Sequence, residues 1–390
     1  MNNTPEFCLL TCLARTTLNS DDSARAADLL TGELQWDKFL ALCWRHGLMP
    51  LVFNHLRTTF AEFVPPTSLR RIREDFQHNA ARNVLLATEL CCVFEEFEAR
   101  GIETLAYKGP AMAIQVYGDL SLRSFVDLDL LIRPDDAALA GSVLTARGYH
   151  PHLDLTPAQE LMLFRSECDR VYLREGRNIV LELHWAVAPP FFRVGVDIEQ
   201  VMADVVQIEM CGSKINVPAA ETLLLLLCVN GTKDLWTVLE PVSSVNELVK
   251  RSHHLDWARV ITSGREAGVL RMLHIGLALA RDIFDLPLPE KITASIAADR
   301  RVIQLANEAR RRLTENEMPL PGLIEKTSFR VRSREHTLDK LRYCALRALT
   351  PTYRDCSTEL PASLSFLYYG LRPLRLLRDS LKRPPDKAVV

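Results

Sequence analysis

The 390-residue chain lacks the features that mark several large classes of protein. Its net charge is only −2 and its pI is near 6.6, so no global electrostatic attraction favours nonspecific binding to nucleic acid. Its longest wholly apolar run is Leu223–Val229, far shorter than the roughly 20 residues that span a bilayer. The N-terminal residues do not show a charged segment followed by an apolar one, the pattern of a secretory signal. We therefore expect a cytoplasmic protein.

Cysteine usage excludes two further classes. The chain has ten cysteines, but Cys8 and Cys12 are four residues apart, Cys91 and Cys92 are adjacent, and the others are scattered. None of these spacings is typical of a zinc site. We interpret the cysteines as free thiols in a reducing compartment rather than as a disulfide or zinc framework. The chain also has no internal repeat and no low-complexity segment.

Apolar periodicity divides the chain into three predicted regions. Residues 1–100 are expected to be helical, because apolar residues follow a helical spacing up to a glycine that ends the helix. These residues are Leu86, Leu90, Val93, Phe97 and Gly101. Residues 101–218 alternate short strands with helices, and residues 219–390 are helical again, with an apolar stripe from Leu270 to Phe284. The predicted fold class is α+β, a small mixed sheet flanked by N-terminal and C-terminal helical regions.

Two aspartates stand one residue apart inside an apolar strand pattern. Because side chains alternate along a strand, Asp127 and Asp129 point to one face, with Cα atoms roughly 6.5–7 Å apart. The opposite face is predicted to carry Val126, Leu128, Leu130 and Ile132. Two like charges on such a strand repel each other and are costly to desolvate, which favours a bound cation, and Mg²⁺ suits carboxylates and substrate phosphates. The alternative is a chance Asp-x-Asp pair at an exposed strand end.

Two further segments supply groups that bind phosphate or metal. Before the aspartates, a short strand ends at Lys108-Gly109 and leads into a helix that Pro110 begins. A helix N-terminus beside a lysine suits phosphate, although a lysine at a strand end is often merely solvated. After the aspartates, Glu182 and His184 share one face of another predicted strand. Glu182 offers a third carboxylate, and His184 either orients an acceptor or is a hydrogen-bonded structural histidine.

Several motifs follow one another in a fixed order along the chain. They are Lys108-Gly109-x-Ala111, Tyr117, Arg123, Asp127-x-Asp129, Gly148-Tyr149 and Glu182-Leu-His-Trp185, then Asn230-Gly231-x-Lys233-x-x-Trp236, Leu255-Asp256-Trp257 and Gly268. This order resembles that of the uncharacterised bacterial nucleotidyltransferase family within the polymerase-beta-like superfamily. The resemblance covers residues 80–290.

The resemblance implies a metal-dependent enzyme that transfers a nucleoside monophosphate from a nucleoside triphosphate to a hydroxyl of a small molecule, peptide or protein. Asp127 and Asp129 are then expected to bind the metal that holds the phosphates. Glu182, with one of these aspartates, is expected to hold a second metal that activates the acceptor hydroxyl, with Mg²⁺ or Mn²⁺ as cofactor. Arg123 either binds phosphate or pairs with Asp119. The expected nucleotide-binding residues are Lys108, Gly109, Arg123, His184 and Lys233.

Three positions depart from the family's pattern. Asn230 and Asp234 replace histidines, and Asn246 replaces an aspartate. These changes put in doubt the contribution of this helical segment to nucleotide or acceptor binding. They also support an alternative function, a catalytically silent descendant that binds a nucleotide or a partner.

The C-terminal segment Leu364–Arg383 has a basic amphipathic character. In it, Leu371, Leu374, Leu377 and Leu381 alternate with Arg372, Arg375, Arg378, Lys382 and Arg383. The segment either contacts an acidic membrane or an acidic partner, as in a membrane-peripheral adaptor, or docks on its own protein as a helix with an arginine-rich outer face. Pro373 is expected to limit its regularity, and the residues from Pro384 are expected to be disordered.

Overall fold

A mixed sheet lies in the middle of the chain, and helices precede and follow it. The computed structural model describes residues 4–192, 194–315, 321–357, 360–361 and 364–381. The strands of the sheet are β1 (Thr104–Ala106), β2 (Asp127–Ile132), β3 (His150–Pro151), β4 (Asp169–Arg174) and β5 (Ile179–His184). Their spatial order is β1-β2-β5-β4-β3, and β2 and β5 are parallel while the other neighbours are antiparallel. A separate hairpin joins β6 (Val205–Met210) to β7 (Ser213–Pro218).

The helices form three groups along the chain. Before the sheet lie α1 (Pro5–Leu13), α2 (Ser20–Thr31), α3 (Trp36–Arg45), α4 (Met49–Thr58) and α5 (Pro66–Glu98). Among the strands lie α6 (Gly109–Met112), which continues as a wider turn over Ala113–Tyr117, α7 (Ala137–Ala146), α8 (Pro157–Ser166) and α9 (Ile198–Ala203). After the strands lie α10 (Ala220–Lys233), α11 (Glu240–Arg251), α12 (Trp257–Glu266), α13 (Leu270–Phe284), α14 (Glu290–Ala298), α15 (Arg300–Thr314), α16 (Leu323–Arg332), α17 (Thr337–Leu349) and α18 (Leu367–Leu381). The predicted α+β class is confirmed.

The second half of α5 covers one face of the sheet. The predicted apolar face from Leu86 to Phe97 is buried, and it packs with Leu128 and Leu130 of β2 and Leu181 of β5. Gly101 follows this helix with a φ of 72°, a left-handed conformation that glycine adopts without steric cost. The sheet is therefore held against a long helix that the apolar spacing predicts.

The N-terminal and C-terminal helices share one apolar core. Phe7 and Leu10 of α1 belong to the same buried cluster as Trp236 and as Leu273 and Phe284 of α13. The sheet and the second half of α5 have a separate cluster. The division at residues 100 and 218 stays a prediction, but the two helical regions pack on each other directly.

The terminal helix α18 docks on the same chain. Its Tyr368 is fully buried beside Met162 and Leu163 of α8, and its buried Arg372 pairs with Asp355 at 3.3 Å. The expectation that the arginines lie on the outer face of this helix is therefore wrong for Arg372, which is buried. Lys382, Arg383 and the residues from 384 onward lie outside the described residues. None of the helices in the described ranges is long and apolar enough to cross a membrane.

Candidate active site

The pairing of β2 with β5 places the predicted carboxylates next to each other. Asp129 lies directly opposite Glu182 in the parallel register, and Asp127 lies opposite Val180. Leu128 and Leu130 are fully buried on the other face, as their alternation predicts. Val126 does not belong to that apolar face, because the strand begins only at Asp127 and the Val126 side chain is 64% exposed.

Asp129 is buried between two cationic side chains. The Lys108 Nζ lies 2.8 Å and the His184 Nε2 lies 3.1 Å from the same Asp129 Oδ1, and the residue is only 2% exposed. Burial alone would raise the pKa of Asp129, but Lys108 and His184 hold this pKa well below its usual range. Lys108 and His184 therefore stabilise the charged form of the buried Asp129 carboxylate.

His184 connects Asp129 to Glu182. Its Nε2 lies 3.3 Å from Glu182 Oε2 as well as 3.1 Å from Asp129 Oδ1. Burial acts to lower the pKa of His184, but its hydrogen bonds with both carboxylates keep this pKa well above the ordinary value. The same contact lowers the pKa of Glu182. The two predicted roles of His184 stay open, but it is in direct contact with two of the three carboxylates.

Asp127 has the opposite electrostatic surroundings. Burial, together with the charges of Asp129 and Glu182, raises its pKa to about 6. Across the described ranges, Asp127 takes part in none of the ion pairs. The repulsion that the Asp-x-Asp spacing predicts is therefore concentrated on this carboxylate.

A cavity of about 280 Å³ opens beside the two aspartates. It is lined by Lys108, Gly109, Arg123, Ser124, Phe125, Val126, Asp127 and Asp129. Five residues of the predicted site thus surround one space, with cationic side chains and carboxylates facing it together.

The backbone at Gly109 passes very close to β2. Gly109 has a φ of 53°, and a Cβ atom at this position would lie 3.0 Å from the carbonyl oxygen of Asp127. Both observations favour glycine, since other residues rarely adopt this φ and would crowd the strand. The turn from Lys108 into α6 is therefore held against the strand that carries the aspartates.

Arg123 is held by a residue that the sequence analysis did not identify. Its Nε donates to Glu240 Oε1 at 2.8 Å, at the start of α11, while Asp119 instead accepts a hydrogen bond from the backbone N–H of Ser121. The predicted alternative partner Asp119 is therefore wrong. Glu240 also accepts a hydrogen bond from Ser244 at 2.9 Å. No local pattern signals this contact, because 117 residues separate Arg123 from Glu240.

The comparison with protein families agrees with this geometry. The model of an uncharacterised nucleotidyltransferase family matches residues 32–285. The chain belongs to this family. The resemblance predicted from the motifs is thus confirmed; the match begins before the residues 80–290 that the motifs indicate and ends at residue 285. A comparison with curated proteins gives no match.

The helical half of this nucleotidyltransferase contributes less to the cavity than the motifs imply. Lys233 lies in the last turn of α10, apart from the residues that line the cavity, and its backbone carbonyl accepts a hydrogen bond from Arg330 at 2.9 Å. Asn246 is fully buried and donates to Glu247 at 2.9 Å. Nucleotide binding by Lys233 stays a prediction.

The acidic face of the nucleotidyltransferase has a donor set that fits a divalent cation. Ligand atoms of Asp129, Glu182 and His184 all lie within 4.8 Å of one another. Carboxylate oxygens suit Mg²⁺ and Mn²⁺, whereas His184 can bind a transition metal only as a neutral imidazole, after it loses the proton that it shares with the two carboxylates. Asp127, which forms no ion pair with another described residue, lies on the same face of β2 as Asp129. A neighbouring group of Cys168, Asp169 and His184 meets the same distance criterion and shares the histidine.

Proposed function

We propose that this nucleotidyltransferase transfers a nucleoside monophosphate from a nucleoside triphosphate to a hydroxyl acceptor, with Mg²⁺ or Mn²⁺ as cofactor. One observation carries the proposal: Asp127 and Asp129 line a cavity together with Lys108 and Arg123. Glu182 lies opposite Asp129 on the neighbouring strand. Carboxylates for metal and cations for phosphate thus meet at one place, as phosphoryl transfer requires.

The cavity suits the triphosphate. Lys108 and Arg123 provide two positive charges, and Gly109 allows the turn into α6 to lie against the strand that carries the aspartates. Arg123 presents a planar guanidinium that can bind phosphate oxygens in pairs, while Glu240 fixes one side of it. We assign the phosphates to this cavity and the acceptor to the side of Glu182, whose side chain is 29% exposed.

The carboxylates would hold the cations in two positions. Asp127 and Asp129 would bind the ion beside the phosphates, and Glu182, with one of these aspartates, the ion beside the acceptor. When bound, such ions lower the pKa of the attacking hydroxyl and neutralise charge on the phosphates. In the reaction the acceptor oxygen bonds to the α-phosphorus, the bond from that phosphorus to pyrophosphate breaks and pyrophosphate leaves, and the proton of the hydroxyl passes to solvent. The protein's role is to hold the acceptor oxygen and the α-phosphorus in a reactive orientation.

The alternative of a silent descendant has less support. It rests on Asn230, Asp234 and Asn246. None of these residues lines the cavity at the aspartates. The three carboxylates, in contrast, are present and lie on adjacent strands.

Substitution of Glu182 distinguishes nucleotide binding from the transfer reaction. Glu182→Gln should keep nucleotide affinity within a few fold and reduce transfer by orders of magnitude, because its ion acts mainly in the transition state. Each of the four α-³²P-labelled nucleoside triphosphates would be incubated with Mg²⁺ or Mn²⁺, cell extract and protein, and retained and transferred label would be counted. The matched control is Glu175→Gln, the same change in the exposed turn of the β4–β5 hairpin.

Two results would contradict this proposal. Equal transfer by wild type and Glu182→Gln would show that Glu182 has no part in the chemistry. Nucleotide binding without any transfer by the wild type, over a range of acceptor extracts, would favour the silent descendant.

A further inference from the structure

Lys108 occupies the place where a cation would bind Asp129. Its Nζ lies 2.8 Å from Asp129 Oδ1, and the Asp129 side chain is only 3% exposed. The ammonium also lies 5.0 Å from the centre of the Tyr107 ring. Lys108 therefore already supplies a positive charge to the carboxylate that the proposed function assigns to a metal.

A divalent cation cannot bind Asp129 without disturbing this pair. The metal and the ammonium would repel each other at one buried carboxylate. If Lys108 moves away from Asp129, its ammonium loses its acidic partner in a largely buried position, which is unfavourable unless another anion replaces that partner. The triphosphate is such an anion, because Lys108 also lines the cavity assigned to it.

Lys108 is better able to move than the other cation on Asp129. His184 is 5% exposed and lies within strand β5, with its ring packed edge-to-face on Tyr107 at 5.6 Å. Lys108 lies at the turn between β1 and α6, and its side chain is 26% exposed. Its four-carbon stem allows the ammonium to reach different partners from one backbone position.

We propose that Lys108 is a built-in counter-ion that pairs with Asp129 before ligands bind and transfers to the triphosphate when metal and nucleotide enter together. This inference rests on the proposed function and adds a rule for the order of binding. Metal alone binds weakly, because it must displace the lysine without compensation. Metal and triphosphate then bind cooperatively, and each raises the affinity for the other by the same factor.

The test compares Lys108→Met with the wild type in two titrations. In the first, Mn²⁺ alone is titrated and free Mn²⁺ is measured by electron paramagnetic resonance. The variant should bind Mn²⁺ about 10- to 100-fold more tightly, the range expected for release of one charge-assisted hydrogen bond. In the second, preformed Mn²⁺ complexes of α,β-methylene nucleoside triphosphates are titrated by calorimetry. Here the variant should bind about tenfold or more weakly, because it has lost a phosphate contact.

The opposite directions of the two shifts identify the role of Lys108. Lys214→Met is the matched control, the same change at an exposed position of β7, and it should leave both affinities unchanged. Thermal unfolding of each variant with and without Mn²⁺ verifies that the protein is folded and reports metal binding independently.

Three outcomes would overturn the inference or its basis. Unchanged Mn²⁺ affinity in Lys108→Met would show that the lysine does not compete with the metal. Weaker binding in both titrations would show a structural role only. If folded wild type and Lys108→Met both fail to bind Mn²⁺ and every Mn²⁺–nucleotide complex, the proposed function itself is wrong.

Discussion

Asp127 and Asp129 are separated by one residue on the same strand, but their carboxylates have different neighbours. Asp129 is buried and paired with Lys108 and His184. Asp127 has a pKa raised to about 6 by burial and by its acidic neighbours. The Asp129 carboxylate is thus stabilised by its partners within the protein. The charge of the Asp127 carboxylate is unfavourable, and a bound cation would stabilise it.

Asp127→Asn should stabilise the metal-free protein above pH 6. The folded-state pKa of Asp127 is about 6 and its ordinary value is 3.8, so the folded chain binds this proton more tightly. The free energy of unfolding therefore falls as pH rises from about 4 to about 6. Asparagine removes this loss, which we expect to be about 1–2 kcal/mol after solvent screening. Urea unfolding in EDTA at pH 4.5 and 7.5 checks it, and an equal shift at both pH values would contradict it.

Asp129→Asn should have the opposite effect on stability. The substitution leaves the cationic Lys108 and His184 without their shared carboxylate, so we expect a loss of about 3 kcal/mol, as for other broken buried ion pairs. The double variant Lys108→Met/Asp129→Asn should recover part of this loss, because it also removes one of the unpaired cations. The measurement is again urea unfolding in EDTA, and additive losses in the double variant would show that the pair is not coupled.

At the scale of elements, local sequence patterns predict the helices and strands themselves better than they predict the long-range contacts between them. The long helix before Gly101 and the apolar stripe of α13 follow from apolar periodicity. The parallel register that sets Asp129 opposite Glu182 joins strands 53 residues apart in the chain, and no local signal defines it. The same applies to Glu240, which holds Arg123 from the start of α11. The residue types of the site were therefore predictable, but their partners were not.

The turn between β1 and α6 depends on glycine at position 109. Gly109→Ala should lose about 1 kcal/mol for the left-handed φ and a further amount for the contact of 3.0 Å with the Asp127 carbonyl. Gly101→Ala is the matched control, because Gly101 has a φ of 72° but no atom lies within 4 Å of the added Cβ. Thermal unfolding and nucleotide binding of both variants would be compared. Equal losses of stability and unchanged nucleotide affinity would show that the close approach to β2 is unimportant.

At the scale of the whole molecule, residues distant in sequence build one helical body around the N-terminal helices. His46, which follows α3, accepts a hydrogen bond at its Nδ1 from the backbone N–H of Leu239, 193 residues away, at 3.1 Å. The His46 residue is 0% exposed. The contact ties the N-terminal helices to the segment that leads into α11, the helix whose Glu240 holds Arg123. The start of α11 thus contributes both to the packing of the helical body, through Leu239, and to the position of Arg123, through Glu240.

His46 should make this body sensitive to acid. Burial, with a smaller contribution from the charge of Arg45, lowers the pKa of His46 from 6.5 to about 4, so the unfolded chain binds this proton more tightly. The free energy of unfolding should therefore fall by about 3 kcal/mol as pH drops from about 6.5 to about 4. His46→Gln should remove this part of the pH dependence, while the exposed His253→Gln should keep it. Urea unfolding at pH 7.5, 6 and 5 measures the difference, and parallel profiles for wild type and His46→Gln would contradict the assignment.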